Sequence, residues 1–233
     1  MNSRHFIRLR DVPLLYGRVP KVANSSIKAA LCRLLKTPPQ EGIRTTSDSF
    51  WRTGTNGETS MLSHHEARMC RGTHFSFSFV RNPFDRLVSA YNNKLLELDE
   101  IPGRMKAMGL RHSMPFGDFL HVVASTKDDD LDVHLLPQTS ILCLAGQLIP
   151  NFIGHLETMD RDWAALQQQL RRERLPQLGG LPEKNVRRSS DHRDVPRYFE
   201  DPGFVRLVAD RYGDDLECFY GDQSNEQLIQ GHA

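Results

Sequence analysis

Apolar positions along the chain follow two rhythms. His74-Phe75-Ser76-Phe77-Ser78-Phe79-Val80 alternates residue by residue, which is the period of a strand. Ile27, Ala30, Leu31, Leu34 and Leu35 recur at helical spacing, which marks one apolar face. Pro38-Pro39 stops that helix, since proline cannot continue it. The short apolar run from Val12 to Tyr16, ending before Gly17, predicts a buried strand. Between that strand and the helix lies a small, polar turn, Arg18 to Ser26. The chain therefore opens as strand, loop, helix. A second unit repeats the order. After the strand comes Arg81, and then Asn82 and Pro83 as N-cap and first helical position. Phe84, Leu87, Val88, Tyr91 and Leu95 give this helix its apolar face, with Asn82, Asp85, Arg86, Ser89 and Asn93 on the other side.

The remaining stretches alternate in the same way. Residues 40–72 are rich in Thr, Ser, Gly and charge and read as irregular, with one short helix around Ser63 to Cys70. Residues 103–113 read as a loop, 115–124 as a short helix and 127–132 as an acidic loop. Asn151 to His155 predicts a strand, and Thr158 or Asp160 caps a long helix running to about Arg174. Residues 176–193 are rich in Gly, Pro and Arg and read as a mobile loop. Phe204 to Tyr212 is a last amphipathic helix. Strands alternating with helices argue an α/β fold with a parallel sheet.

Composition narrows the functional classes. With 233 residues the expectation is a single domain, 1–233. The 30 Lys and Arg nearly cancel the 29 Asp and Glu, for a net charge of +1. That balance gives no support to nucleic-acid wrapping or a polybasic membrane anchor, so any anion site must be local. No apolar run approaches the ~18 residues of a membrane span. The first ten residues lack the apolar core of a secretory signal. Cys32, Cys70, Cys143 and Cys218 are scattered without metal-ligand or redox spacing, which reads as reduced thiols in a cytoplasmic protein.

In a parallel α/β sheet, ligands bind at the carboxyl ends of the strands. Helix N-termini there present unpaired N–H groups and partial positive charge, and so bind phosphate. The first loop supplies Lys21, Asn24, Ser25 and Ser26; the second supplies Arg81 and Ser89. Two cradles, one near a lysine and one near an arginine, suit a ligand with two separate phosphates. The first loop is not a Walker A loop, because Lys21 precedes the hydroxyls instead of standing next to them. No carboxylate follows a strand to hold magnesium; Asp85 comes nearest, inside a helix.

Val19-Pro20-Lys21-Val22-Ala23-Asn24-Ser25-Ser26-Ile27-Lys28 resembles the 5′-phosphosulfate loop of carbohydrate sulfotransferases. Phe79-Val80-Arg81-Asn82-Pro83-Phe84-Asp85-Arg86-Leu87-Val88-Ser89-Ala90-Tyr91 resembles their 3′-phosphate motif. In these motifs the chain resembles the Golgi chondroitin and HNK-1 sulfotransferases and their bacterial counterparts. The stretches 132–138, 152–158 and 212–217 fit the same family in the expected order. Where the family often has Cys-Thr this chain has Asn24-Ser25, and Ile27 replaces a Trp.

The resemblance implies a P-loop-like three-layer α/β sandwich with a central parallel sheet. It implies a donor, 3′-phosphoadenosine 5′-phosphosulfate (PAPS), with adenosine 3′,5′-bisphosphate as product, a carbohydrate acceptor and no metal. Lys21 would stabilise charge on the oxygen bridging phosphorus and sulfur. The amides of Val22, Ala23 and Asn24, with Ser25 and Ser26, would hold the 5′-phosphate, and Arg81 and Ser89 the 3′-phosphate. Arg187 and Arg188, in the Gly/Pro-flanked loop, are candidates to close over the nucleotide. For the general base the first candidate is His134, close to Asp132; His64 and His65, between the two donor motifs, are the second. The anchor and stem of the Golgi enzymes are missing from these residues. That favours a cytoplasmic, bacterial-type enzyme, with peripheral membrane association open and a Golgi lumen reserved for a truncated chain. A nucleotide-dependent phosphotransferase and a catalytically silent nucleotide-binding protein are the alternatives.

Overall fold

The computed structural model describes residues 4–182 and 195–231. Two compact units divide them, the first built from 4–80 and 141–182, the second from 81–140 and 195–231.

The first unit is a five-stranded mixed sheet in the order β3-β1-β2-β4-β7. Its strands are β1 (Phe6–Leu9), β2 (Leu14–Gly17), β3 (Thr59–Leu62), β4 (Phe75–Val80) and β7 (Phe152–His155). β2, β4 and β7 are parallel; β1 runs antiparallel to both β2 and β3. The α/β class follows, with the parallel part at the centre and one side. The alternation over 74–80 does form a strand, but both of its faces are buried: Phe77 and Phe79 on one, Ser76, Ser78 and Val80 on the other. The serines fit there because their hydroxyls are satisfied. Ser78 Oγ donates to the Gly17 carbonyl at 2.6 Å, and Ser76 Oγ to Asn151 Oδ1 at 2.7 Å.

Around the sheet lie α1 (Asn24–Leu31), α2 (Asp48–Thr53), α3 (His64–Met69) and α8 (Met159–Arg172), with a short hairpin, β5 (Cys143–Leu144) and β6 (Gln147–Leu148). α8 buries Trp163, Leu166 and Leu170, one stripe at helical spacing. Trp163 lies 5.9 Å, ring to ring, from Phe79. Gly154 makes this packing possible: a Cβ there would stand 2.4 Å from the Phe79 ring.

The second unit is helical: α4 (Pro83–Tyr91), α5 (Gly103–Ala107), α6 (Phe116–Ser125), α9 (Val195–Tyr198), α10 (Pro202–Arg211), α11 (Gly213–Tyr220) and α12 (Asn225–Gln230). α7 (Gln138–Leu142) begins in this unit. Asn82 and Pro83 act as expected, with Asn82 Oδ1 accepting from the Phe84 amide at 3.0 Å. An aromatic cluster runs from the buried Tyr91, Phe119 and Phe199 to the half-buried Phe116 and Tyr198, with ring separations of 4.7 Å for Phe116–Tyr198 and 5.2 Å for Tyr91–Phe116.

The polar side of α4 is not a solvated face. Asn82, Arg86 and Ser89 are buried. Each of the first two is committed to a carbonyl: Asn82 Nδ2 donates to Leu228 O at 2.6 Å, Arg86 Nη1 to Leu136 O at 2.8 Å. Helical segments also appear where sequence predicted a loop, at α5, and after the helix expected to be last, at α11 and α12.

Candidate active site

Because β2, β4 and β7 are parallel and in register, their carboxyl ends share one edge of the first unit's sheet. Gly17 pairs with Ser78, and Val80 with His155. The turn after β2 begins there. Lys21 and Ala23 both adopt left-handed backbone, with φ of 70° and 57°. For residues with a Cβ this costs about 1–3 kcal/mol each and persists only where the surroundings enforce it. Ala23 is the N-cap of α1 and offers no side-chain cap. Ser25 and Ser26 stand inside the first turn, so neither serves as the N-cap. The amino end of α1 is thus presented by its backbone, as an anion site requires. Lys21 is half-buried, Val22 and Ser26 are buried, and Asn24 and Ser25 lie between. Buried Tyr16, at the end of β2, donates from its hydroxyl to Asn24 Oδ1 at 3.1 Å. Burial raises the Tyr16 pKa and keeps that hydroxyl a neutral donor. These six sequence-predicted residues therefore come together in a single turn.

Arg81 immediately follows β4 in the chain and belongs to the second unit. Its guanidinium is fixed by a bidentate pair with Asp85, Nε to Oδ2 and Nη2 to Oδ1, both 2.8 Å. Both side chains are mostly buried, at 10% and 14% exposure. The carboxylate considered as a magnesium ligand is therefore engaged by Arg81. Two of Arg81's five N–H donors go to Asp85, and the fork is held in one plane. The Arg81 backbone and Gln138 side chain exchange two further bonds, at 2.9 and 2.8 Å. Gln138 in turn opens α7, whose first amides, of Gln138 and Thr139, are accepted by the buried Asp215 carboxylate at 2.7 Å each.

That bracing ties the stretch 132–138 to the start of α4, and His134 lies within it. His134 Nδ1 sits 2.6 Å from Asp132 Oδ1, which also accepts the His134 amide at 2.9 Å. Because a carboxylate only accepts, Nδ1 carries the proton, and the neutral ring has its lone pair on Nε2. Burial alone would raise the Asp132 pKa; the bonds and charge of His134 outweigh it and hold it below the ordinary value.

His64 and His65 stand on α3 of the first unit. His64 Nε2 meets the Ile141 carbonyl at 2.9 Å, so it must be the donor. The His64 ring packs edge-on against His5 and Phe6. His65 is exposed. Arg187 and Arg188 lie outside the described residues. Two groups on the sheet's carboxyl edge were not singled out by sequence. His155 closes β7 beside Asp162, Nδ1 to Oδ2 at 3.5 Å, and Arg18 opens the turn after β2. Only the parallel register marks them, and a single sequence does not contain it.

Residues 4–221 match the family described as the Sulfotransferase family. The chain is 28% identical over 174 residues to mouse carbohydrate sulfotransferase 14, covering 68% of this chain and 44% of the relative. The human protein of that name is 27% identical over the same shares, and the zebrafish one 27% identical over 197 residues, 78% and 52%. The chain spans about half the length of these relatives. No solved structure matches it.

Proposed function

Because the chain belongs to the Sulfotransferase family, we propose that it moves the sulfonate group of PAPS to a hydroxyl of a carbohydrate acceptor. The observation that carries this reading is the turn between β2 and α1. There a lysine and a helix amino end whose N-cap, Ala23, makes no side-chain bond are presented by left-handed backbone at two non-glycine positions. The carbohydrate acceptor is favoured by the names of the relatives.

The donor supplies an activated sulfonate whose transfer leaves negative charge on the former bridging oxygen. In the proposed roles, Lys21 stabilises that charge as it grows, and the amides of 22–24 with Ser25 and Ser26 hold the 5′-phosphate. Arg81, its plane set by Asp85, and Ser89 take the 3′-phosphate. His134 accepts the acceptor's proton at Nε2, with Asp132 fixing the tautomer and favouring the imidazolium that forms. His64 is the weaker candidate, since its Nε2 donates to a neutral carbonyl, which favours an imidazolium less than the Asp132 carboxylate does. Incubation with PAPS labelled in the sulfonate and a panel of glycans, followed by mass spectrometry, tests the reading. Label is expected on a sugar hydroxyl; hydrolysis alone, or transfer of a phosphoryl group from ATP, would replace it.

A further inference from the structure

Arg18 and Lys28 stand at the two ends of the Lys21 turn. Arg18 is the first residue after β2, and Lys28 lies in α1, the helix the turn feeds. Both side chains are buried, Lys28 to 1% exposure, and both end on the same carboxylate. Arg18 Nη2 meets Asp48 Oδ2 at 2.8 Å, and Lys28 Nζ meets Asp48 Oδ1 at 3.0 Å. Lys28 Nζ also donates to the Thr46 carbonyl at 2.9 Å. Asp48 is the first residue of α2, which Ser47 caps through the Phe50 amide.

Two buried cations sharing one carboxylate are a costly way to fill space. Burial pulls the pKa of both Arg18 and Lys28 down, and attraction to Asp48 offsets only part of that. Apolar side chains of similar volume would do as well for stability alone. What the arrangement adds is geometric: both ends of a strained turn are tied to one point on a separate helix. Left-handed backbone at Lys21 and Ala23 needs such enforcement.

We propose that Asp48 is a positioning residue for the donor: by gripping Arg18 and Lys28 it holds the 18–26 turn in its anion-binding shape before the donor arrives. This rests on the reading of that turn as the 5′-phosphosulfate site. The gain is preorganisation, so it should appear as affinity.

The charge change makes the test decisive. In Asp48→Asn the cluster loses a negative charge, or keeps its net charge if Lys28 loses a proton; it never becomes less positive. A purely electrostatic role would leave anion binding unchanged or tighter. The positioning role predicts the opposite sign. Calorimetric titration of the full chain with adenosine 3′,5′-bisphosphate should show Asp48→Asn binding about tenfold more weakly, and Asp48→Glu recovering most of that loss. Urea unfolding of the same ligand-free samples establishes that each is folded. Equal or tighter binding by folded Asp48→Asn overturns the proposal. If that variant does not fold, Lys28→Arg keeps the charge but alters the reach: binding weakened about threefold supports the grip, and unchanged binding overturns it. Wild-type protein that fails to bind the bisphosphate would overturn the donor reading as well, whereas wild-type binding that Asp48→Asn leaves intact removes only the positioning role.

Discussion

Lys21 and Arg81 are the two cations that the strand-loop-helix pattern singles out, and their surroundings assign them different work. Lys21 is half-buried on left-handed backbone; Arg81 is locked to Asp85 at 2.8 Å twice over. An interaction that strengthens only as charge develops affects turnover, not ground-state binding. Lys21→Ala should therefore cut kcat by about 100- to 1,000-fold with little change in bisphosphate affinity, as steady-state rates and calorimetry on the same sample will show. Arg81→Ala is the poorer probe, because it also leaves a mostly buried Asp85 without its bidentate partner. The tautomer logic at Asp132–His134 gives a second outcome. His134→Ala should lower turnover about 100-fold or more while leaving bisphosphate binding intact, and Asp132→Asn should fall between it and wild type. If His64→Ala abolishes turnover while His134→Ala stays active, the base lies on α3. The residue types for this chemistry were legible in the sequence. Their commitments were not: nothing local in sequence shows that His64 Nε2 would be taken by Ile141, which is 77 residues away.

At the scale of elements, the strand-turn-helix units were legible because both carry their own signals. Alternation marks β4, Asn82-Pro83 marks the start of α4, and period and length mark α8. The short helix expected around Ser63 to Cys70 is α3, and Ser63 and Glu66 form a full capping box at its start. β1 and β3 were missed for a physical reason. Each is four residues long, too short to carry a periodic signal of its own; β3 pairs with β1, Phe6 to Leu62 through Leu9 to Thr59, some fifty residues away in the chain, and β1 is held between β3 and β2. The partners of α4's buried polar side, Leu136 and Leu228, were not legible because they are distant in sequence. The β7–α8 junction offers a test of its own. Asp162 accepts from the His155 amide at 2.8 Å and the Thr158 hydroxyl at 2.9 Å. Burial pushes its pKa up, but these bonds and Arg161 together bring it below the ordinary value. A carboxyl lowered on folding contributes stability that is complete above its unfolded pKa of ~3.9 and is lost as pH falls through its folded value. Asp162→Asn should cost about 1–3 kcal/mol near neutral pH. In urea unfolding the gap to wild type should narrow steadily below about pH 4. A gap that stays constant down to pH 2 would mean the carboxylate charge contributes nothing.

At the scale of the whole molecule, the two loops belong to different units. The Lys21 turn leaves a mixed sheet in the first, and Arg81 opens a helical second unit braced by Gln138 and Asp215. The family match runs across both, over residues 4–221. The central claim is that the ligand carries two phosphates, one for each loop. A ligand that binds only the folded state raises its melting temperature by mass action. The direct measurement is a thermal melt with adenosine 3′,5′-bisphosphate against one with adenosine 5′-monophosphate at equal concentration. A clear rise with the bisphosphate and a much smaller one with the monophosphate is the predicted result; equal shifts, or none from either, would contradict the account.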